Sequence, residues 1–317
     1  MKLRGIHHIT AIAGDPQTNL DFYIGVLGLR FVKRTVNFDD PSTYHLYFGD
    51  RTGRPGSAMT FFTWPGARRG RRGAGQVVAA SFAIPPASVK YWETRLKEEH
   101  VFAETISGRF GDGVIRFLDP DGLMLELIES RQPDDFDFTF PSSVPAEFAL
   151  RGFHAPTLEI MRTGQSEQLL MQPGFELVGS EKSRRRFSLN RNSASAHIDL
   201  VTSDGGDLSI SAAGTVHHIA FCCHDQEEQL RWREKLVAMG LHVTPVIDRQ
   251  YFHSIYFREP GGILFEIATE RPGFTVDEEV ENLGQSLKLP PQYEAHRREI
   301  ETTLPPISLK SSAAATP

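Results

Sequence analysis

The chain has 317 residues, of which 40% are hydrophobic and 23% are charged, and this composition is typical of a globular protein with two cores. A formal net charge of -6 excludes a global field that would draw the protein to nucleic acid or to an anionic membrane. No apolar run is long enough for a membrane span, and two adjacent cysteines make a poor crosslink, so we expect a cytoplasmic protein.

The first 64 residues predict a strand, a helix and three more strands. Asp15 can cap the helix 18–27, Pro16 suits its first position, and Gly28 ends it. The predicted strands are 5–13, 30–38, 43–50 and 57–64. A cluster of four arginines then stands alone among glycines, and we interpret it as a solvated loop rather than a nucleic-acid site. Its members are Arg68, Arg69, Arg71 and Arg72.

The same order of elements recurs three times, and such internal repeats define an architecture. The second copy covers strand 76–84, helix 88–100 and hairpin 113–129; the third covers 151–160, 165–172, 174–180, 185–191 and 196–202; the fourth covers 215–223, 226–239, 241–247 and 254–270. These patterns predict an α+β fold, with four βαβββ modules paired into two cup-shaped mixed β-sheet domains. We expect domains at 1–132 and 148–271, a linker at 133–147, and an extension at 272–317 that drapes over the surface and is disordered at its end.

Aligning the four copies places chemically informative residues at equivalent points. The first strands carry His8, Ala79 or Ala80, His154 and His218, and the closing strands carry Phe61, Glu126, roughly Asp199 and Glu266. The dipeptide HH recurs at 7–8 and 217–218. If the alignment holds, all of these positions face a shared cup.

The fourth copy alone contributes both a histidine and a carboxylate, His218 and Glu266. Glu266 lies in an apolar strand, where an unpartnered carboxylate is costly to bury, and a metal would remove that cost. His8 or His154 could complete a two-histidine, one-carboxylate site, and periodicity leaves the two open. Such a triad suits iron(II) because it leaves coordination positions for substrate and dioxygen. Glu126 is interpreted as a relic of duplication or as the partner of a cation.

The motifs GIHHITAIAGDPQTNLDFY, FVKRT with YHLYF, RGFH, the second HH, YFREPGGILFEIAT and LKLPPQ resemble the vicinal-oxygen-chelate superfamily, and within it the hydroquinone-type ring-cleaving dioxygenases. The match runs from residue 4 to about residue 295. The resemblance implies iron bound by His8, His218 and Glu266, with manganese(II) as an alternative. It also implies roles around the metal for a further set of residues: His7, Thr10, His217, Arg249 and Tyr256.

These residue types fit the chemistry that the resemblance implies. Arg249 could balance a phenolate unless it is a surface charge, Tyr256 could donate a hydrogen bond, and His217 could shuttle a proton. His7 and His217 would point away from the cup on an ideal strand, so we expect a bulge or a twist at each. The expected partners are a small aromatic substrate and dioxygen, and the oligomeric state stays open, a homo-oligomer included. A glyoxalase-type lyase or isomerase, disfavoured by apolar Phe61 where a fourth ligand would stand, and a non-enzymatic aromatic-binding protein are the alternatives.

Overall fold

The computed structural model describes residues 1–131, 136–189, 196–203, 205 and 207–309. Residues 133–135 of the predicted linker and residues 310–317 of the predicted disordered end lie outside the described residues.

The described strands form two eight-stranded mixed sheets. The first sheet contains β1 (Ile6–Ala13), β2 (Arg30–Asn37), β3 (Asp40–Gly49), β4 (Ala58–Thr63), β13 (Thr215–Cys223), β14 (Ile247–Asp248), β15 (Phe252–Arg258) and β16 (Leu264–Pro272). The second contains β5 (Gln76–Ile84), β6 (Ala103–Arg109), β7 (Asp112–Leu118), β8 (Met124–Glu129), β9 (Thr157–Ile160), β10 (Glu176–Glu181), β11 (Arg184–Ser188) and β12 (His197–Thr202).

The opening strands of the modules join them into sheets. β1 pairs antiparallel with β13, which joins the first module to the fourth, and β5 pairs antiparallel with β9, which joins the second to the third. The α+β fold with two cup-shaped sheets is therefore confirmed. Each sheet, however, takes one module from 1–132 and one from 148–271, because the opening strand of each module is left unpaired on one side and finds its partner across the linker. The division of the chain into those two domains stays a prediction.

Within the described residues, five α-helices accompany the sheets: α1 (Pro16–Leu20), α2 (Val89–Glu98), α3 (Gly164–Met171), α4 (Gln226–Ala238) and α5 (Arg297–Thr303). The predicted cap of the first helix is confirmed, since Asp15 accepts from the backbone N of Thr18 at 2.7 Å, and Asp225 caps α4 in the same way, accepting from the backbone N of Glu228 at 2.8 Å. After Leu20 the first helix widens into a π-helical turn, Asp21–Val26, which buries the consecutive rings of Phe22 and Tyr23. No described helix has the length and apolarity needed to cross a membrane.

One segment differs from the prediction. The strand expected at 241–247 is reduced to β14 and a single bridge from Val243 to Phe257, since Pro245 has no N–H to continue a ladder. The extension packs onto the surface of the first sheet, where Leu289 is buried and buried Lys33 binds Asp277 at 2.6 Å. Cys222 and Cys223 are free and buried on β13.

Candidate metal centre

Three neighbouring strands at the centre of the first sheet bring His8, His218 and Glu266 together. Strands β1 and β13 pair with each other, and β13 pairs with β16. The Nε2 atoms of the two histidines are 3.2 Å apart, and Glu266 Oε2 lies 3.3 Å from His8 Nε2 and 2.9 Å from His218 Nε2. All three side chains are buried. The structure therefore selects His8 over His154 as the third member of this cluster.

The cluster has the electronic character of a cation site. Glu266 Oε1 accepts a hydrogen bond from Ser254, but Oε2 is buried and receives none from the described residues. Burial raises the pKa of Glu266, but the adjacent His8 and His218 outweigh it and hold the pKa well below its usual range. An ionised buried oxygen facing two imidazole nitrogens is stabilised by a positive charge between them, and a divalent metal would supply it. The donor set fits the metal that the fold family implies.

His7 fixes which nitrogen of His8 faces this cluster. His7 Nε2 lies 3.2 Å from the backbone oxygen of Thr269, and its Nδ1 lies 2.9 Å from His8 Nδ1. Because a carbonyl only accepts, His7 Nε2 donates, so in the neutral ring Nδ1 must accept from His8 Nδ1–H. Burial, with His8 beside it, lowers the pKa of His7 to about 3, which keeps the ring neutral. His8 Nε2 is left with a lone pair for a metal.

The second histidine pair repeats the contact between Nδ1 atoms, since His217 Nδ1 lies 2.7 Å from His218 Nδ1. If His218 Nε2 binds a metal, His218 Nδ1–H donates to His217 Nδ1, and His217 carries its hydrogen on Nε2. The register between β1 and β13 breaks between Ile6 and His8 and again at His217. The bulges expected at His7 and His217 are therefore confirmed, and they turn both rings out of the ideal alternation.

A cavity of about 390 Å³ opens beside the cluster. Arg249 and Tyr256 both line it, and the Tyr256 ring meets the His218 ring edge-on, with centroids 5.7 Å apart. Arg249 Nε donates to the Tyr256 hydroxyl at 3.3 Å, and its Nη2 binds Asp39 at the cavity rim at 3.0 Å. With 17% of its side chain exposed, Arg249 is a cavity residue and not a free surface charge. Burial raises the pKa of Tyr256, so its hydroxyl stays protonated.

A buried chain of hydrogen bonds leads away from Thr10, which lies two residues after His8. Thr10 Oγ1 is 2.8 Å from Thr60 Oγ1, Thr60 Oγ1 is 2.9 Å from His45 Nε2, and His45 Nδ1 is 2.8 Å from the Tyr47 hydroxyl. Sequence reasoning missed Thr60, His45 and Tyr47. The signal was present in YHLYF, because alternate residues of β3 face the same cup as alternate residues of β1.

The strand registers correct two of the predicted equivalences. Ala220, two residues after His218, pairs with Glu266, and Thr10 pairs with Thr60. Thr60, not Phe61, is therefore the counterpart of Glu266 in the first module. Phe61 points into the core, where its ring centroid lies 4.5 Å from that of Tyr23.

The third module needs the other correction. Thr157, the counterpart of Thr10, pairs with Asp199, which places Ala155 and not His154 at the position of His8. The His154 ring is buried against His197 in the second sheet, with centroids 5.3 Å apart, because a residue shifted by one along a strand changes face. His154 contributes nothing to the metal cluster.

The partners of Glu126 lie in the second sheet. Ser81 pairs with Glu126, so Ala79 takes the place of a metal histidine. Arg109 binds both oxygens of Glu126, at 2.5 and 2.7 Å, and Arg116 adds a bond at 3.1 Å. The prediction that Glu126 pairs with a cation is confirmed. Burial raises the pKa of Glu126, but Arg109 and Arg116 outweigh it and lower the pKa to about 2.

Comparison with known proteins agrees with this architecture. The sequence profile of the glyoxalase/bleomycin resistance protein/dioxygenase superfamily matches residues 5–127 and 169–267. The chain is 47% identical over 310 residues to the Bacillus subtilis protein named "Putative ring-cleaving dioxygenase MhqO", covering 98% of both chains. It is 34% identical over 312 residues to the chlorohydroquinone/hydroquinone 1,2-dioxygenase of Sphingobium indicum, covering 96% of both chains.

Solved structures give the same relationship. A Bacillus subtilis crystal structure named as that of a "putative dioxygenase" superposes with a TM-score of 0.93 at 47% identity, covering 98% of this chain and 99% of the other. Glyoxalase I from Zea mays shares 14% identity and a TM-score of 0.63, covering 84% of this chain and 92% of the other, and so shows the fold alone. The fold is that of the vicinal-oxygen-chelate proteins.

Proposed function

The chain belongs to the glyoxalase/bleomycin resistance protein/dioxygenase superfamily, and on that premise we propose that it is an iron(II)-dependent dioxygenase that opens the ring of a hydroquinone-type aromatic. The observation that carries the proposal is the convergence of His8 Nε2, His218 Nε2 and the unsatisfied Glu266 Oε2 beside an open cavity. These three atoms would hold the iron, and manganese(II) would suit the same donors. The names of the curated relatives support ring cleavage and, for one of them, a hydroquinone substrate.

When bound, the metal lowers the pKa of a phenolic hydroxyl and holds it next to dioxygen. The chain's own residues orient the ring. The aromatic side chains Phe62, Trp64 and Phe252 line the cavity and provide apolar surface for an aromatic molecule. A substrate ring packed against these side chains would exclude water from the reacting atoms.

Arg249 and Tyr256 serve the charged oxygen of the substrate. The Arg249 guanidinium offsets the negative charge of a phenolate in the cavity. Because Arg249 Nε donates to the Tyr256 oxygen, Tyr256 keeps its own hydrogen to donate to a substrate oxygen. Asp39 holds the far side of the guanidinium and so fixes its orientation.

His217 completes the polar contacts of the cavity, and Thr10 anchors the hydrogen-bond chain through Thr60 beside His8. His217 is exposed to the cavity, and with a metal on His218 Nε2 its Nδ1 would accept from His218 Nδ1–H, which leaves an Nε2–H that can donate to a substrate oxygen. Burial lowers the pKa of His217 to about 3, so the ring is neutral near pH 7 and acts as a hydrogen-bond donor. Proton shuttling by His217 would require a change of tautomer and stays a prediction.

Thr60 bears on the alternative reaction class. A glyoxalase-type site of four protein ligands would need a carboxylate or imidazole where Thr60 stands, and the hydroxyl of Thr60 is already bonded to Thr10 and His45. The open coordination positions that remain favour dioxygen chemistry. We place the enzyme in the cytoplasm, in keeping with its two free cysteines.

The test is anaerobic loading with iron(II), followed by oxygen-electrode assays on hydroquinone, chlorohydroquinone and catechol. We expect stoichiometric oxygen uptake, faster with a hydroquinone than with catechol, and a ring-opened product in the mass spectrum. A thiol-adduct assay with nickel-loaded or zinc-loaded protein tests the isomerase alternative in parallel. Full iron occupancy without oxygen uptake on any of the three aromatics would overturn the proposal, and binding of aromatics by metal-free protein alone would favour the non-enzymatic binder.

A further inference from the structure

A second cavity, of about 490 Å³, lies on the second sheet at the place that corresponds to the metal-site cavity. Tyr256 pairs with Glu266 in the first sheet, and Arg116 pairs with Glu126 in the second. Two residues before each of these glutamates, Leu264 lines the first cavity and Met124 lines the second. The second cavity is thus the duplicated counterpart of the first.

The third module extends this correspondence. His45 pairs with Phe62, two residues after Thr60, and Arg184 pairs with Val201, two residues after Asp199. Arg184 therefore stands where the first cup has His45. The duplication has kept the cavity, removed the metal histidines and placed guanidinium groups on its walls.

We call this second cavity, with the arginines around Glu126 and Asp199, the second cup. The second cup contains more guanidinium groups than these two carboxylates neutralise. Arg109 and Arg116 share Glu126, whereas Arg184 and Arg186 share Asp199. Asp112 takes part of the remaining charge, through a contact with Arg186 at 3.1 Å. When two arginines share one carboxylate, some of their N–H groups remain without an acceptor and part of their positive charge is not neutralised. Both conditions favour the binding of an anion.

Three guanidinium groups on the wall of the cavity have unused donors. Arg116 engages Glu126 through Nε and Nη2, and Arg184 engages Thr157 and Asp199 through Nη1, so Nη1 of Arg116 and Nη2 of Arg184 have no acceptor among the described residues. The Arg72 side chain makes no hydrogen bond or ion pair within the described part of the chain. Burial, with the charge of Arg116 beside it, lowers the pKa of Arg72, which reflects the crowding of positive charge here.

The rim carries acidic groups that limit what can enter. Asp207 is paired with Arg71 at 3.1 Å, and Glu159 lies near enough to Arg72 to raise its pKa. Both carboxylates disfavour a large polyanion at this rim and so favour a small one. The Arg68–Arg72 loop is fixed on this rim by bridges from Arg69 to Ala213 and from Arg71 to Ile210. The arginine cluster is exposed, as the sequence predicted, but it is not a freely solvated loop.

We propose that the second cup is a binding site for a small oxyanion, a carboxylate or a phosphate group, held by Arg72, Arg116 and Arg184. Planar guanidinium groups match the geometry of both oxyanions. The site is independent of the metal centre, so it can exist whether or not the chain cleaves aromatic rings.

The experiment is calorimetric titration of the full-length, metal-free protein with succinate and, in a separate arm, with inorganic phosphate. We expect saturable one-site binding in at least one arm, and the tighter arm identifies the preferred oxyanion. Arg72→Gln should weaken it about tenfold, the loss expected for one charged hydrogen bond, while leaving iron binding unchanged. The matched control is Arg68→Gln, which removes the same charge from the same loop at a residue outside the cavity and should bind like the unmodified protein.

Each outcome of the titrations either supports or overturns the proposed site. Binding that only Arg72→Gln weakens supports the site. An equal loss in both variants would mean diffuse attraction to a basic loop, and absence of binding in both arms would mean that the arginines serve only Glu126 and Asp199; either result overturns the proposal. Because the Arg72 side chain makes no hydrogen bond or ion pair with the described residues, Arg72→Gln should fold, and its unfolding temperature checks this.

Discussion

In the first sheet, the places that face the cup from β1 and β13 hold imidazoles, whereas in the second sheet the same places hold Ala155 and Ala79. Both sheets keep a buried glutamate on the closing strand, with a serine hydroxyl bonded to it. Glu266 is left with an unsatisfied oxygen between two histidines, whereas Glu126 is saturated by arginines. A buried carboxylate needs a cation in either case, and the neighbouring side chains decide whether that cation is a metal or a guanidinium.

The largest expected effect is on iron content and oxygen uptake, and it should follow a change in the first cup only. His218→Ala removes a donor from the metal cluster, so iron content and oxygen uptake should fall by more than about 100-fold, beyond the range for residues that only orient a ligand. His154→Ala, which removes a histidine packed against His197 of the second sheet, should keep its iron and its activity. Metal analysis by mass spectrometry and the oxygen electrode make both measurements. Equal iron loss in the two variants would contradict the assignment.

A carboxylate at position 60 tests the first cup by adding a possible fourth metal ligand to it. Thr60→Glu places a second glutamate at the counterpart of Glu266, where it can fill an open coordination position. We expect the metal to be retained and oxygen uptake to fall by about 100-fold, because the positions for substrate and dioxygen are reduced. The control, Thr60→Ser, preserves the hydroxyl and should stay within a fewfold of the parent. Full activity of Thr60→Glu would show that Thr60 does not face the metal.

Substituting His7, the histidine that orients His8, should have a smaller effect on metal binding than removing His218. His7→Phe keeps a ring but removes the Nδ1 acceptor that fixes the tautomer of His8, so iron affinity should weaken by about 10- to 100-fold. His197→Phe makes the same change in the second cup and should leave the dissociation constant unaltered. Titration with iron(II) under anaerobic conditions measures both. An unchanged affinity in His7→Phe would refute the tautomer argument.

In the second cup we expect an effect on stability and not on catalysis. The folded pKa of Glu126, about 2, lies below the usual value of 4.5, so its contribution is present above pH 4.5 and is lost as the pH falls toward 2. Glu126→Gln should lower the free energy of unfolding by about 3 kcal/mol at pH 7 and progressively less at acid pH. Urea unfolding at several pH values tests this, with exposed Glu104→Gln as the control. A pH-independent difference would count against the ion-pair explanation.

Local patterns predicted the modules well, because hydrophobic alternation and helix caps act within a few residues. Asp15, Asp225 and the HH repeats are examples of such local signals. The remaining features depend on strand pairing between modules on opposite sides of the linker. One residue of register separates Thr60 from Phe61 and Ala155 from His154, and only the ladder with the neighbouring strand sets that register. Arginine partners of Glu126 could not be named for the same reason, since they arrive from other strands.

The assignment of the metal to the first cup is tested most directly by a crystal structure of anaerobically iron-loaded protein with anomalous scattering measured at the iron edge. We expect one strong peak in the first cup, about 2 Å from His8 Nε2, His218 Nε2 and a Glu266 oxygen. We also expect no peak in the second cup, where arginines occupy the carboxylates. A peak beside His154 or Glu126, or a first-cup ion bound without His8, would contradict this assignment.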